Sequence, residues 1–444
     1  SDRYVRKGPS RPYFSENIRA EFLSSIEIVD FIVINDDVTS INLINTIKPD
    51  IYVKGKDYQN PSKDITGNIS LEKKAVKKNG GKILITEEIE FSSSKIINEF
   101  IQPPKIMDSL KDIEKIRNGC IDAVNSLKNL KVLVLGELIF DEYNFVNELD
   151  KPGKENIQSV IFKKRETYLG GAFSIAKNIS SYVSKVDYLC VGNLNNVQKK
   201  YLKKESSNVS NLNLKLYMNE FNSITKKRYV NGSNRKLFEE YEMIGDKFCK
   251  DKFYLEKLKN LKKYDLVILA DFGHGLISGT VIKSLYTKTN FLAVNAQTNS
   301  ENRGYNYITK YKKADYICID RQEIRLALSD RHSNISHLIK KLFEKIKTNI
   351  ITVTLGREGI MITKREKKKF NKFILPGFEV NPIDTLGAGD AVFGISSLLL
   401  RKKVDLKLVA LISNLVGAMK TKIVGHSSTI TKKDLIKSLT YTLK

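Results

Sequence analysis

The sequence contains no tryptophan and has only nine prolines, four histidines and four cysteines among its 444 residues. Cys120, Cys190, Cys249 and Cys318 stand far apart, with neither CxxC nor metal-ligand spacing. That excludes a disulfide framework and reads as buried thiols of a reducing compartment. The histidines make no HExxH arrangement, which argues against a catalytic zinc. No apolar run approaches bilayer-spanning length and no signal peptide opens the sequence, so the expected location is the cytoplasm, without membrane attachment. Carboxylates are outnumbered, 50 Asp and Glu against 75 Lys and Arg, for a net charge of +25. Such an excess can serve nucleic acid or an anionic surface. Here lysine is scattered over almost every segment with abundant Ile and Asn, a compositional bias that disfavours a nucleic-acid role. Acidic, phosphorylated small substrates suit the charge better.

What is present is length and apolar content: 41% hydrophobic residues, enough for the cores of two or three domains. The chain turns on Asp384-Thr385-Leu386-Gly387-Ala388-Gly389-Asp390. Glycines on either side of Ala388 let the backbone bend sharply and bring several N–H groups near one anion. The proline-free apolar run from Ala391 to Leu400 predicts a buried helix starting at that turn, where unpaired N–H groups and the helix dipole favour a phosphoryl group. Asp390 stands at the same point, placed to take a proton from an attacking hydroxyl. A plain glycine-rich helix entrance with an acid in its first turn is the competing reading. Neither GxxxxGK[ST] nor GxGxxG is completed, since no Lys-Ser or Lys-Thr follows and valine takes the last position. The stretch closely resembles the C-terminal signature of the PfkB (ribokinase-like) sugar kinases.

Residues 1–103 read as a first α/β domain. Phe31-Ile32-Val33-Ile34-Asn35, Ile51-Tyr52-Val53 and Ile83-Leu84-Ile85 are expected strands, with helices over Ile41 to Ile47 and Leu71 to Lys78. Strands alternating with helices argue for a parallel sheet. Arg11-Pro12, Arg19, Lys48-Pro49-Asp50, Lys54-Gly55 with Asp57-Tyr58, and Phe91-Ser92-Ser93-Ser94 with Ile97 resemble, in order, the second half of cytidylyltransferase-like nucleotidyltransferases. That resemblance implies a partial Rossmann-like unit in which Lys54, Asp57, Ser92, Ser93 and Ser94 flank a nucleotide; serines before a helix are also plain caps. The HxGH motif of that family would fall before Ser1 and is not in the sequence. Two readings stay open: a piece of a longer protein, or a half-domain that no longer transfers nucleotides.

Residues 104–130 read as a helical connector and 131–444 as the PfkB-like domain, opened by the buried strand from Lys131. The resemblance runs on through Asp141, the sugar-binding acid, and through Gly170-Gly171-Ala172-Phe173-Ser174-Ile175-Ala176-Lys177-Asn178, similar to GGAxNxAxN with Ser174 in place of asparagine. Segments near Ile157 to Tyr168 and Ile224 to Val230 alternate like strands, and the resemblance implies that they form a small β-lid pairing two subunits into a homodimer. Lys227 and Arg228 on it can reach a substrate phosphate or remain solvated. His274 stands in the D-Y-x-K-G position, as a phosphate contact or a helix cap. The run Asn299 to Ile308 is similar to a subgroup in which the nucleotidyltransferase unit comes first.

The resemblance implies a three-layer α/β/α ribokinase-like fold and in-line transfer of the γ-phosphoryl group of MgATP to a hydroxyl of a sugar or sugar phosphate. Asp390 is the implied base, with Gly387, Ala388 and Gly389 as the anion cradle. Substrate contacts fall on Asp141, Gly170, Gly171, Asn178 and Asp384, and ATP contacts on Asn295, Glu323, Thr354, Gly356, Gly359 and His426. Asp320 and Glu323 would order Mg²⁺ through water or simply form a capping box. Asp384 and Thr385 would shape a K⁺ site. As a whole the chain is similar to bifunctional heptose kinase/adenylyltransferases with the domain order reversed.

Overall fold

A computed structural model describes residues 1–5, 7–8, 11–55, 58, 68–86, 112–150, 157–232, 235–367, 369–378 and 382–443. Asp57, Ser92, Ser93, Ser94, Ile97 and the Gln102-Pro103-Pro104 stretch lie outside these residues. The chain divides into two compact units: Ser1–Ile121 with Phe378–Asn381 and Thr431–Lys444, and Asp122–Gly377 with Pro382–Ile430.

The first unit contains α1 (Glu16–Ser24), α2 (Ile41–Ile47), β1 (Ile51–Lys54), α3 (Ile69–Lys78) and β2 (Lys82–Ile85), followed by α4 (Ile113–Asn125), which enters the second unit. β1 and β2 pair in parallel, Ile51 opposite Lys82. Helical spacing on α3 turns Ala75 and Val76 toward Ile44 of α2, and Ile41, Tyr52 and Ile83 pack around that contact. One expected strand is absent: Phe31 to Asn35 form no ladder, and Phe31 is 91% exposed. Apolar β-formers make a strand only beside a partner, and among the described residues β1 is hydrogen-bonded to β2 alone.

In the second unit β3 (Lys131–Gly136) leads into β4 (Leu138–Glu148) and β5 (Val160–Gly170). Next come α5 (Gly171–Ile179), β6 (Lys185–Gly192), α6 (Asn196–Ser207) and β7 (Leu212–Met218). β8 (Ser223–Val230) and β9 (Lys236–Ile244) precede α7 (Asp251–Lys257), β10 (Leu266–Asp271), α8 (Gly279–Lys288) and β11 (Leu292–Ala296). β12 (Tyr316–Asp320), α9 (Arg321–Leu328), α10 (Ile335–Lys345) and β13 (Ile350–Thr354) follow. Strands β14 (Ile360–Glu366) and β15 (Lys369–Leu375) and helices α11 (Ala388–Arg401) and α12 (Leu406–Lys420) complete it.

A nine-stranded sheet runs β15-β14-β13-β12-β11-β10-β3-β6-β7, parallel from β13 to β7, with β14 and β15 antiparallel at one edge. Its central strands read as apolar runs because helices cover both faces. Leu133, Leu135, Val267, Leu269 and Val294 point to the side of α7, α8, α9 and α10. The opposite face meets α5 and α11: Phe173 lies 5.9 Å from Tyr188, and Tyr316 stands 6.3 Å from Phe393 with its hydroxyl 2.7 Å from Ser396. A separate four-stranded sheet, β5-β4-β8-β9, forms the lid.

Candidate active site

Carboxyl ends of parallel strands and the start of α11 converge on one cavity of about 330 Å³, bordered by Asp141, Asn295, Asp320, Thr354, Asp390 and His426. That is where α/β sheets place ligands. Gly387 caps α11 with φ 72°, and a Cβ there would stand 2.8 Å from Cε1 of His426, so only glycine fits. The N–H groups of the first turn have no intrahelical acceptors, and the helix dipole adds positive potential. A Cβ on Gly389 would meet nothing within 4 Å, so the turn opens onto free space. Asp390, in this first turn, is buried and accepts a 2.6 Å hydrogen bond from Nε2 of Gln297. Burial raises its pKa, while His426 and Gln297 act against that rise.

On the lid, Asp141 of β4 is opposite Lys226 of the parallel strand β8. Arg228 donates to Oδ1 of Asp141, and Nε2 of His426 lies 3.5 Å from Oδ2. Burial pushes this carboxyl up, yet His426 and Arg228 outweigh burial and hold it down at about 2. A Cβ on Gly170 would stand 2.0 Å from Oδ2, which is why the chain can pass so close to the acid. Strand alternation corrects the sequence reading here. Lys227 turns to the far face and pairs with Glu240 at 2.9 Å and Glu242 at 2.7 Å, whereas Lys226 and Arg228 face the cavity. Lys236 also borders the cavity, 3.0 Å from Oδ1 of Asp384.

At the other end Asn295 and Thr354 flank the Asp320–Glu323 capping box. Oδ1 of Asp320 accepts from the N–H of Glu323 at 2.7 Å, and Oε2 of Glu323 accepts from the N–H of Asp320 at 2.7 Å. Oε1 of Glu323 accepts from Thr298 at 3.3 Å, and burial together with Asp320 raises this carboxyl to about 8. The pair is thus a capping box that also borders the cavity. No three His, Cys, Asp or Glu side chains among the described residues cluster as a metal cage. Of the two acids Asp320 is the more exposed.

Thr385, Gly171 and Glu323 border the cavity; Gly170, Asn178, Ala388, Gly356, Gly359 and Asp384 do not. Asn178 is buried in α5. Gly356 and Gly359 shape the turn after β13 with φ 62° and 94°. His426, expected beside the nucleotide, borders the cavity and stands 3.5 Å from Asp141. His274 does not cap α8, since Ser278 does; it is buried, and its pKa is pushed down to about 3 by desolvation and Lys226. In the first unit Lys54 lies 3.1 Å from Glu72 and over the rings of Tyr52 and Tyr58.

Lys226, Lys236, Gln297 and Lys420 escaped the sequence reading. Parity with Arg228 marks Lys226, and a lone lysine ending the apolar run of α12 marks Lys420. Gln297 and Lys236 carry no local signal.

The fold and this cavity define a ribokinase-like enzyme. Ribokinase from Thermotoga maritima, 15% identical, superposes with a TM-score of 0.53 over 69% of this chain and 98% of that one. Phosphofructokinase-2 from Escherichia coli in complex with potassium, 11% identical, gives 0.56 over 71% and 100%. The pfkB family carbohydrate kinase model matches residues 129–432. The chain belongs to that family and is a carbohydrate kinase. Its curated relatives include bifunctional protein HldE of Aliarcobacter butzleri, 26% identical over 68% of this chain, and of Campylobacter fetus, 26% over 67%. The chain spans 63% and 64% of the length of these two. Among the described residues no helix is long and apolar enough to cross a membrane.

Proposed function

We propose that this chain transfers the γ-phosphoryl group of MgATP to a hydroxyl of a phosphorylated sugar of the heptose type. The observation that carries the reading is the meeting of Asp390, at the head of α11, with the cations Lys226, Arg228 and Lys236 in a single cavity. Asp390 serves as base for the acceptor hydroxyl, and the amides of Gly387, Ala388 and Gly389 receive the migrating phosphoryl group. Because that transition state is loose, alignment and charge stabilisation supply more of the rate than proton removal. Asp320, braced by Glu323, would hold the nucleotide's Mg²⁺ through water, where the ion would supply charge neutralisation for the phosphates. Asp141 orients the sugar by accepting from its hydroxyls, which take over the contacts now made by Arg228 and His426. Thus released, Arg228 joins Lys226 and Lys236 in reaching the acceptor's own phosphate.

The N-terminal unit, the resemblance to bifunctional heptose kinase/adenylyltransferases and the HldE relatives support a second step, nucleotide activation of the phosphorylated sugar. Screening the intact gene product for ATP consumption over sugars and sugar phosphates tests both steps. Turnover with a heptose phosphate at least about tenfold above that with free sugars is expected, an advantage of roughly 1.4 kcal/mol. Equal rates with unphosphorylated sugars would remove the phosphate assignment.

A further inference from the structure

Resting on the kinase reading, we infer that the side chain of Lys420 supplies the positive charge expected from K⁺, so that this enzyme works without a monovalent cation. The expected site lies between Asp384-Thr385 and the loop after α12. These segments are stitched together: Ile383 and Asp384 donate N–H bonds to the carbonyl of Thr421 at 2.9 and 3.0 Å, and Gly425 donates to Oδ2 of Asp384 at 2.8 Å. A cation there would need the Asp384 carboxylate and nearby carbonyls as ligands.

The Asp384 carboxylate is already in use, and the ammonium of Lys420 holds a place at the Gly425 carbonyl. Oδ1 of Asp384 accepts from Leu386 at 3.1 Å and Lys236 at 3.0 Å; Oδ2 accepts from Tyr143 at 3.1 Å and Gly425 at 2.8 Å. Four donors fill a carboxylate's accepting capacity. The carbonyl of Gly425 accepts from Nζ of Lys420. Residues arranged this way do not fit K⁺.

Lys420 fits the charge instead. It is 0% exposed at the end of α12, and its Cε lies 3.3 Å from where a Cβ on Gly387 would stand. Its positive charge therefore sits next to the turn that would hold the phosphoryl group. A buried ammonium persists only with compensation; Asp384, Asp390 and Asp141 provide it, although burial still lowers the pKa to about 8. Like K⁺, the ammonium carries one charge and binds oxygen, but it is tethered covalently and cannot be exchanged.

The test compares turnover and Tm of the intact protein in NaCl and in KCl. Turnover is expected to change less than about twofold and Tm to be the same in both salts, since a ligand raises Tm only where it has a native site. Lys420→Met is expected to lose roughly a hundredfold in turnover in NaCl, with partial recovery in KCl or NH₄Cl, because the emptied space admits a cation. Activation of the unaltered protein about tenfold by K⁺, or a Tm rise specific to K⁺, would overturn the inference. So would a folded Lys420→Met protein with full turnover in NaCl. Should Lys420→Met fail to fold, the salt comparison on the unaltered chain still decides. If no acceptor supports turnover, the kinase reading fails separately, and Tm still reports on the cation.

Discussion

Asp390 and Asp141 share one cavity, and their surroundings push them in opposite directions. Asp390 is raised by burial, so Asp390→Asn should lower kcat by about 10²–10⁴ with nucleotide Kd nearly unchanged, measurable by steady-state kinetics and calorimetry. Gln297→Leu removes the 2.6 Å donor that favours the ionised form. The base pKa then rises further, and the acid limb of the kcat–pH profile should move to higher pH. Asp141 behaves oppositely. Held at about 2, it contributes stability that is fully present above its unfolded pKa and is lost as pH falls through about 2. Arg228→Leu would strand that carboxylate in the protein, at a cost of about 3–5 kcal/mol in urea unfolding at neutral pH. Legibility differed among these residues. Asp141 and Asp390 sit in recognisable local strings, whereas Gln297 meets Asp390 only because β11 ends beside α11.

Elements impose their own periods. On β8, side chains alternate, so Lys226→Ala should raise the acceptor KM about tenfold or more while Lys227→Ala leaves it within about twofold. Kinetics on both variants would check this; equal effects would mean that strand parity does not decide which lysine meets the acceptor. The alternation was available in the residues Ile224 to Val230, but which parity faced inward depended on β4 lying alongside. The head of α11 was the most legible element, since its chemistry is local: a left-handed glycine, a bare helix start and an acid within a few residues. Gly387→Ala should cost about 1–3 kcal/mol of stability, from a backbone angle of 72° that an L-residue resists. Phe31 to Asn35 show the converse. Their residue types suit a strand, yet a strand exists only where a neighbour offers its ladder.

For the molecule as a whole, buried ionisable groups set a pH dependence that no single element displays. Glu137, raised to about 7 by burial and Asp271, and Glu323, raised to about 8, are protonated more readily folded than unfolded. Their contribution to stability is complete below their unfolded pKa and is lost as pH rises through about 7 and about 8. His274, lowered to about 3, acts the other way between about 3 and the ordinary histidine value of 6.5. Above pH 6.5 the glutamates act until Lys420, lowered to about 8, begins to work against them, so the urea midpoint should fall between pH 6.5 and about 8, and Glu137→Gln should flatten that fall. Paired units are a further expectation at this scale: Ile161, Phe162 and Phe238 are exposed on the lid, which suits subunit pairing. Sedimentation velocity would report it.

The glycine turn with its acid, and the family, were determined by sequence alone, because each depends on residue strings a few positions long. Only the tertiary structure decided that Lys226 rather than Lys227 faces the cavity, that His426 stands against Asp141, and that the ammonium of Lys420 lies under Gly387. Such pairings join residues far apart in the chain. They come from strand order and helix packing, and local propensity carries no record of either.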